Sequence, residues 1–234
     1  MPDRWVIGDV HGCSKALRGL IEEIAPAPSD EVIFLGDYID RGPDSRDCID
    51  QLIALRERTQ VRLLRGNHEL MLSAVLFGGL DDKVWLENGG RATVTSYGGS
   101  LDRIPDSHRQ FFATLLPHYE TECEIFVHAN YEADVDMNLL VDSVRYWKHL
   151  AFPTPLPHQS GKRVFVGHTP QPNFQVLDLA HLICVDTCCF GGGYLSALHL
   201  HDGNVVQFDV HGHRRRGGLI QRLAEMLHRR KTSK

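Results

Sequence analysis

The chain predicts an α/β fold on three observations. Apolar runs of strand length alternate with amphipathic stretches through the first third, the loops between them are short, and strand-length runs resume through the second half without a shift in composition. Strand, helix, strand, helix, strand in succession is a βαβαβ unit, which folds as a parallel sheet with helices packed against it.

Taken in order, RWVIGDV (4–10) is a short apolar run closing in a turn. SKALRGLIEEI (14–24) follows, with Ala16, Leu17, Leu20, Ile21 and Ile24 on one helical face and Ser14 as the expected N-cap. EVIFLGDYI (31–39) is the second strand, SRDCIDQLIALRER (45–58) the second helix and VRLLRGN (61–67) the third strand. The middle, about 69–122, is predicted mainly helical, with a glycine-rich break at NGGRATVTSYGGS (88–100). EIFVHAN (124–130), KRVFVGHT (162–169), LICVDT (182–187), YLSALHLH (194–201) and NVVQFDV (204–210) read as strands, the last two joined at Asp202-Gly203 by a hairpin turn. PTPLPHQSG (153–161) is a loop rather than a linker, because strand patterns continue on both sides, and no fixed-period repeat or low-complexity segment occurs. The expectation is one catalytic domain over 1–210 and a basic helical tail over 211–234.

With 42% hydrophobic and 24% charged residues over 234 positions, the chain has the composition of a globular protein. No apolar run approaches the roughly 20 residues that span a bilayer. The first residues enter a strand pattern directly, without a signal peptide's apolar region, so the cytoplasm is the expected location. The six cysteines fit no zinc-ribbon spacing and are expected as reduced thiols, several of them core fillers. The net charge is −5, yet residues 209–234 carry eight Lys/Arg against two acids, leaving +6 there and −11 on the rest. Such a tail could meet an anionic surface. A solvated amphipathic helix with Leu219, Ile220, Leu223, Met226 and Leu227 on one face is favoured over nucleic-acid binding, since no aromatic residue interleaves the charges.

Five apolar runs stop abruptly on polar residues: VIGDVHG (6–12), FLGDYIDRG (34–42), LLRGNHE (63–69), FVHAN (126–130) and FVGHT (165–169). In sheets of this kind ligands sit at the carboxyl ends of the strands. If the five runs are neighbouring strands, Asp9, His11, Asp37, Asp40, Asn67, His68, His128 and His168 meet at one rim. Imidazole and carboxylate without thiolate suit first-row divalent cations such as Mn²⁺, Fe²⁺, Co²⁺ or Zn²⁺. The set is too large for one ion and suits two, with Asp9, His11 and Asp37 on the first, and Asp37, Asn67, His128 and His168 on the second. Two ions about 3.5–4 Å apart could share a hydroxide and clamp both oxygens of a phosphoryl transfer.

GDVHG, GDYIDRG, RGNHE, FVHAN and FVGHT, in this order, resemble the five blocks of the binuclear metallophosphoesterases, and more narrowly the phosphoprotein-phosphatase branch with its bacterial and phage serine/threonine phosphatases. ICVDTCCFGGG (183–193) is similar to a late segment of that family. The resemblance covers about four-fifths of the chain, and chance does not order five such blocks. It implies two stacked mixed β-sheets flanked by helices in four α-β-β-α layers, with a dimetal site at one edge. It implies two divalent first-row ions, Mn²⁺ foremost, with Fe²⁺, Co²⁺, Ni²⁺ or Zn²⁺ as alternatives. It carries the ligand roles onto the residues named above, makes His68 the general acid with Asp40 as its carboxylate partner, and makes Arg41 a phosphate-binding group. A poor alkoxide leaving group needs such an acid, worth about 10²–10⁴-fold in rate. An arginine fork matches phosphate oxygens better than a lysine does. The implied reaction is direct attack by a metal-bridging hydroxide on phosphorus, without a phosphoenzyme.

Two departures stand out. The third histidine block ends in Asn130 where the family has glycine, and asparagine tolerates left-handed backbone. A second phosphate-binding arginine is usual, and VRYWKH (144–149) offers Arg145 and Lys148 in that role. WLENGGRATVTSYGG (85–99) either shapes the substrate cleft or packs Trp85 and Tyr97 in the core, and Cys188 and Cys189 either approach the site or pack. The remaining histidines fit no block and read as surface or core residues. The expected substrate is a phosphomonoester, phosphoserine or phosphothreonine in proteins first, or a small phosphoester. The alternative is a dinucleoside polyphosphate of the diadenosine tetraphosphate type, whose related hydrolases read GNHD and lack the aspartate at position 40, whereas this chain has Asp40 and Glu69. A binding module that has lost its chemistry would show a broken ligand set, and this one is complete.

Overall fold

The structure, a computed structural model, describes residues 2–216. The helix expected within 211–234 falls almost wholly on residues outside them. Element order is β1 (Arg4–Ile7), α1 (Ser14–Ile24), β2 (Glu31–Phe34), α2 (Ser45–Arg56), β3 (Gln60–Leu63), α3 (Asn67–Gly78), α4 (Lys83–Trp85), α5 (Arg91–Ser96), α6 (Asp106–Ala113), β4 (His118–Glu120), β5 (Glu124–Val127), β6 (Arg163–Val166), β7 (Leu177–Asp178), β8 (Leu182–Cys184), β9 (Leu195–His199) and β10 (Val205–Phe208). A π-helical turn, Leu86–Gly90, joins α4 to α5.

The strands form two five-stranded mixed sheets, ordered β10-β9-β1-β2-β3 and β4-β5-β6-β8-β7. In the first, β1, β2 and β3 are parallel and β9 and β10 antiparallel. In the second, β5, β6 and β8 are parallel, with antiparallel β4 and β7 at the edges. The five runs expected as neighbours are therefore shared out, three to the first sheet and two to the second. Alternation along each strand explains the stacking. Val6, Ile33, Leu35, Leu64, Phe126, Phe165, Ile183 and Val185 form one core between the sheets. Their neighbours Ile7, Val32 and Phe34 pack with residues of α1 and α2, and Ile125, Val127, Val164 and Val166 pack with Tyr131, Met137, Leu140 and Val144. Burial on both faces is why these strands read as unbroken apolar runs.

The helices and the hairpin fall where the periodicity puts them. Ser14 is a correction: Cys13 occupies the cap position, without a side-chain cap, and Ser14 begins the helix. The chain turns in through left-handed His11 and Gly12 (φ 43° and 62°), which starts the helix one residue before the serine can cap it. In α2 the cap is Asp44, whose carboxylate accepts from Asp47 N at 3.0 Å. Strands β4 and β7, three and two residues long, are too short to leave a periodic signal.

Phe126 and Phe165, register partners on β5 and β6 of the second sheet and both fully buried, stack at 5.1 Å and pack in one core with Val6, Ile33 and Leu35 of the first sheet. Phe165→Ala is expected to lose about 3–5 kcal/mol in denaturant unfolding, and Phe165→Leu less than about 1.5 kcal/mol. A loss below about 1 kcal/mol for the alanine variant would mean that Phe165 does not help hold the core between the layers.

Candidate active site

Each block ends a strand, so the polar residues arrive on the turns that leave the sheets. Those turns are bent sharply. His11, Asp37, Asp40, Arg41 and His168 all have positive φ, between 43° and 72°, a region non-glycine residues seldom occupy. Such strain persists only where the surroundings over-determine it, and it gathers at functional sites. Here the surroundings are hydrogen bonds. Asp37 O accepts from Val10 N and His11 N (3.0 and 2.8 Å), tying the turn after β1 to the turn after β2. The Glu69 carboxylate accepts from Asp37 N (2.9 Å), Tyr38 N (2.8 Å), Ile39 N (3.4 Å) and Gly66 N (3.0 Å), tying the same turn to the start of α3. Gly66 lies so close that a Cβ there would sit 2.0 Å from Asp37 Oδ1.

These ties bring the ligand candidates together across both sheets. One atom each of His11, Asp37 and His68 lies within 4.8 Å of the others, and the same holds for Asp37, His128 and His168. Asp37 belongs to both groups, and its oxygens are divided between them. Oδ2 is 3.5 Å from His11 Nε2 and Oδ1 is 3.5 Å from His128 Nε2. Asp9 accepts the amide of His168 on both oxygens (3.1 and 3.0 Å), which joins the turn after β1 to the turn after β6. Asn67 Oδ1 is 3.0 Å from His128 Nε2.

Backbone carbonyls set the imidazole tautomers. Nδ1–H of His11 donates to Ile39 O (3.0 Å), Nδ1–H of His128 to Leu35 O (2.8 Å) and Nε2–H of His168 to Trp147 O (3.2 Å). The other ring nitrogen of each is left with a lone pair, as a metal ligand requires. Burial keeps these three rings neutral: it pushes the pKa of His11 and His128 down, and with repulsion from His128 it brings that of His168 to about 3. Burial opposes the charge on Asp37 as well, yet any positive charge on the surrounding imidazoles, His128 and His68 first, favours its ionised form, and the net direction of its pKa is below the usual carboxylate range. Asp9 is pushed well up by burial and by the carboxylates of Asp186 and Asp37, and Asp186 rises to about 7, mainly through burial.

The donor set fits two cations. Three carboxylates share a buried space whose imidazoles are neutral, a concentration of negative charge that metal ions would offset. His128 Nε2 and Asn67 Oδ1, both acceptors in this arrangement, face each other at hydrogen-bonding distance with no proton between them. Asp9, His11 and Asp37 could hold one ion, and Asp37, Asn67, His128 and His168 the other.

Beside the cluster, His68 Nδ1–H donates to Asp40 Oδ2 at 2.7 Å, and its Nε2 is buried without a hydrogen-bond partner, 4.0 Å from Asp37 Oδ2. Burial lowers the pKa of His68, but Asp37 and the bond to Asp40 outweigh it and the net direction is up. Arg41 reaches the same centre, with Nη1 3.1 Å from His11 Nε2 and its guanidinium 4.8 Å above the Phe190 ring. Phe190 also meets the His11 ring edge-on at 4.8 Å, so one aromatic residue backs both groups.

Of the two further cations expected at the substrate, Arg145 turns its side chain elsewhere, and Lys148 lies between Trp147 and His149, which both meet His168. Arg145 is a correction: its guanidinium is buried and donates to Met137 O and Leu140 O, both at 2.8 Å, and to His118 Nδ1 at 2.8 Å, so its fork is already engaged in holding a loop. Lys148 is exposed and lines a groove of about 280 Å³ with Asn130, Glu132, Asp134 and His149. His149, adjacent to it, stacks on His168 at 4.3 Å. Glu69, Trp85, Thr93, Asp186 and Phe190 escaped assignment from sequence. Glu69 and Asp186 lie inside quoted blocks, and Trp85 and Thr93 inside the glycine-rich stretch, but no spacing rule tells a residue that holds a ligand from the ligand itself.

Comparison with known proteins agrees with this geometry. Residues 4–217 match the calcineurin-like phosphoesterase family. The chain is 39% identical over 87 residues to serine/threonine-protein phosphatase 1 of Salmonella typhimurium, covering 37% of this chain and 38% of that protein. It is 40% identical over 75 residues to a symmetrical bis(5'-nucleosyl)-tetraphosphatase of Janthinobacterium, covering 32% of this chain and 27% of the other. These alignments thus span well under half the length of either relative. In fold it is similar to a protein serine/threonine phosphatase from Saccharomyces cerevisiae with similarity to human PP5, with a TM-score of 0.63 at 17% identity over 89% of this chain and 80% of that one. The relatives are consistent with the phosphoprotein-phosphatase branch. A profile match across nearly the whole chain, on a fold whose strand ends gather these ligands, makes the protein a member of the calcineurin-like phosphoesterase family.

Proposed function

We propose that this protein hydrolyses phosphomonoesters, phosphoserine and phosphothreonine in proteins first, and that it does so with two divalent first-row cations, Mn²⁺ foremost. The observation that carries the reading is the His68–Asp40 pair, with a buried, unpartnered Nε2 facing the ligand cluster. When bound, the ions supply electrostatic stabilisation of the phosphoryl oxygens and activation of water at neutral pH. Asp9, His11 and Asp37 would hold the first ion; Asp37, Asn67, His128 and His168 would hold the second. His68 in its doubly protonated form donates its Nε2 proton to the departing alkoxide oxygen, while Asp40, accepting from Nδ1–H, stabilises that form and fixes the ring's orientation. Arg41, backed by Phe190, receives the phosphate oxygens. Lys148 stands on the rim, where it can meet a peptide substrate's own charges. Six free cysteines suit a reducing cytoplasm, where such substrates occur. Among the described residues no helix is long and apolar enough to cross a membrane.

A leaving group as basic as a serine alkoxide needs a proton donor, whereas the pyrophosphate-type leaving group of a dinucleoside polyphosphate needs one less. An intact acid pair therefore favours the phosphomonoester. The Janthinobacterium relative is named for the other substrate class, so turnover on phosphopeptides should be compared with turnover on diadenosine tetraphosphate. The phosphopeptide is expected to have the larger kcat/KM, and a strong preference for the nucleotide reverses the assignment.

Metal-stripped protein is expected to be inactive and to regain activity with Mn²⁺. Asp37→Asn should bind fewer ions by elemental analysis with an unchanged circular dichroism spectrum. Full activity after stripping contradicts the proposal. In the metal-loaded protein, His68→Asn is expected to retain both ions and lose about 10²–10⁴-fold in kcat on a phosphopeptide. Equal rates in variant and wild type would remove His68 from its role.

A further inference from the structure

The stretch WLENGGRAT (85–93) interrupts the metal-binding blocks, supplies no ligand, and is not required by the chemistry described so far. Its contacts give it a task. Trp85 is almost wholly buried, yet its indole N–H does not end on a carbonyl or in an apolar pocket. It donates to Asp40 Oδ2 at 2.8 Å, the same oxygen that accepts from His68 Nδ1 at 2.7 Å. Thr93, fully buried, donates its hydroxyl proton to the other oxygen, Asp40 Oδ1, at 2.5 Å.

The remaining protons are consistent with this assignment. The Thr93 hydroxyl has one proton, and with that proton on Asp40 its oxygen can only accept. It accepts from Asp40 N at 2.9 Å and from the Ser45 hydroxyl at 2.9 Å, and Ser45 Oγ shares the Asp40 amide at 3.0 Å. Asp40 is thus gripped at both carboxylate oxygens and at its backbone, which is in the left-handed region (φ 72°).

The same stretch holds the next residue too: Arg41 N donates to Gly89 O at 3.2 Å. Its glycines allow this closeness. A Cβ at Gly90 would lie 2.5 Å from the indole ring, so only glycine lets the backbone pass against Trp85. The π-helical turn that joins α4 to α5 is what brings Trp85 and Thr93 round to opposite oxygens of one carboxylate.

We propose that Trp85 and Thr93 are positioning residues for the proton donor: they lock the Asp40 carboxylate, and through it the His68 ring, so that Nε2 faces the leaving oxygen. The inference rests on the assignment of His68 as the acid. A purely structural tryptophan and threonine would, when altered, affect every substrate alike. Positioning residues affect only those whose leaving group needs the proton, because an acidic phenol departs unaided.

The test is a series of aryl phosphates running from 2,4-dinitrophenyl to phenyl phosphate. It is measured on the metal-loaded wild type, Trp85→Phe, Thr93→Val, Thr93→Ser and His68→Asn, with ion content read by elemental analysis. Trp85→Phe and Thr93→Val are expected to lose about 10-fold in kcat on phenyl phosphate and less than about 2-fold on 2,4-dinitrophenyl phosphate, a fraction of what a general acid contributes. Both ions should be retained, and Thr93→Ser, which keeps the hydroxyl, should follow the wild type. Should Trp85→Phe fold poorly, the two threonine variants carry the test. A uniform loss across the series, or no loss, overturns the positioning role while a selective loss in His68→Asn leaves the acid assignment intact. A flat response in His68→Asn overturns that assignment and the inference with it.

Discussion

Glu69 spans the gap between the turn after β2 and the turn that enters α3, and the rest of the site depends on that span. Its carboxylate reaches the amides of Asp37, Tyr38 and Ile39 after β2 and the amide of Gly66 before α3. These groups would otherwise be buried donors without acceptors, each left unsatisfied at a cost of about 1–3 kcal/mol. Because the acceptor is a carboxylate on the first turn of a helix, one side chain also serves the helix's positive end. The result is a left-handed Asp37 whose oxygens face two sets of imidazoles in opposite directions. An aspartate at position 69, one methylene shorter, would reach less far across this gap.

The sandwich makes such a turn affordable. Phe126, Phe165, Val6 and Ile33 lock the two sheets face to face, so the strand ends that carry Asp9, Asp37, His128 and His168 are rigidly adjacent although they are distant along the chain. Buried carboxylates and neutral imidazoles in one space are unfavourable on their own terms. The protein meets that with hydrogen bonds on every side: carbonyls on the far ring nitrogens, amides on Asp9 and Glu69, and indole and hydroxyl donors on Asp40. These contacts fix orientation at the same time as they relieve desolvation, and a polar network of this kind is most effective when each member is satisfied.

Much of this was legible beforehand, for identifiable reasons. Strands buried on both faces read as apolar runs, helices with one buried face read by their period, and ligands that must be Asp, His or Asn at a strand end leave a compact motif. The partition into two sheets was visible only through family likeness, since pairing is decided by which apolar faces meet in space. Ser14 misled because a left-handed entry at His11 and Gly12 shifts the helix start. Arg145 misled because an arginine near the right spacing can turn inward to carbonyls, and burial is invisible in one dimension. Trp85, Thr93 and Phe190 were silent as site residues because each acts on a neighbour rather than on a ligand, and apolar or hydroxyl side chains are the ordinary content of a core.

The central claim is that Asp37 is shared between two cations, and anomalous diffraction from crystals grown with Mn²⁺ tests it directly. The account predicts two peaks within the cluster, one on either side of the Asp37 carboxylate, the first beside Asp9 and His11 and the second beside Asn67, His128 and His168. A single peak, or ions bound away from Asp37, would contradict it.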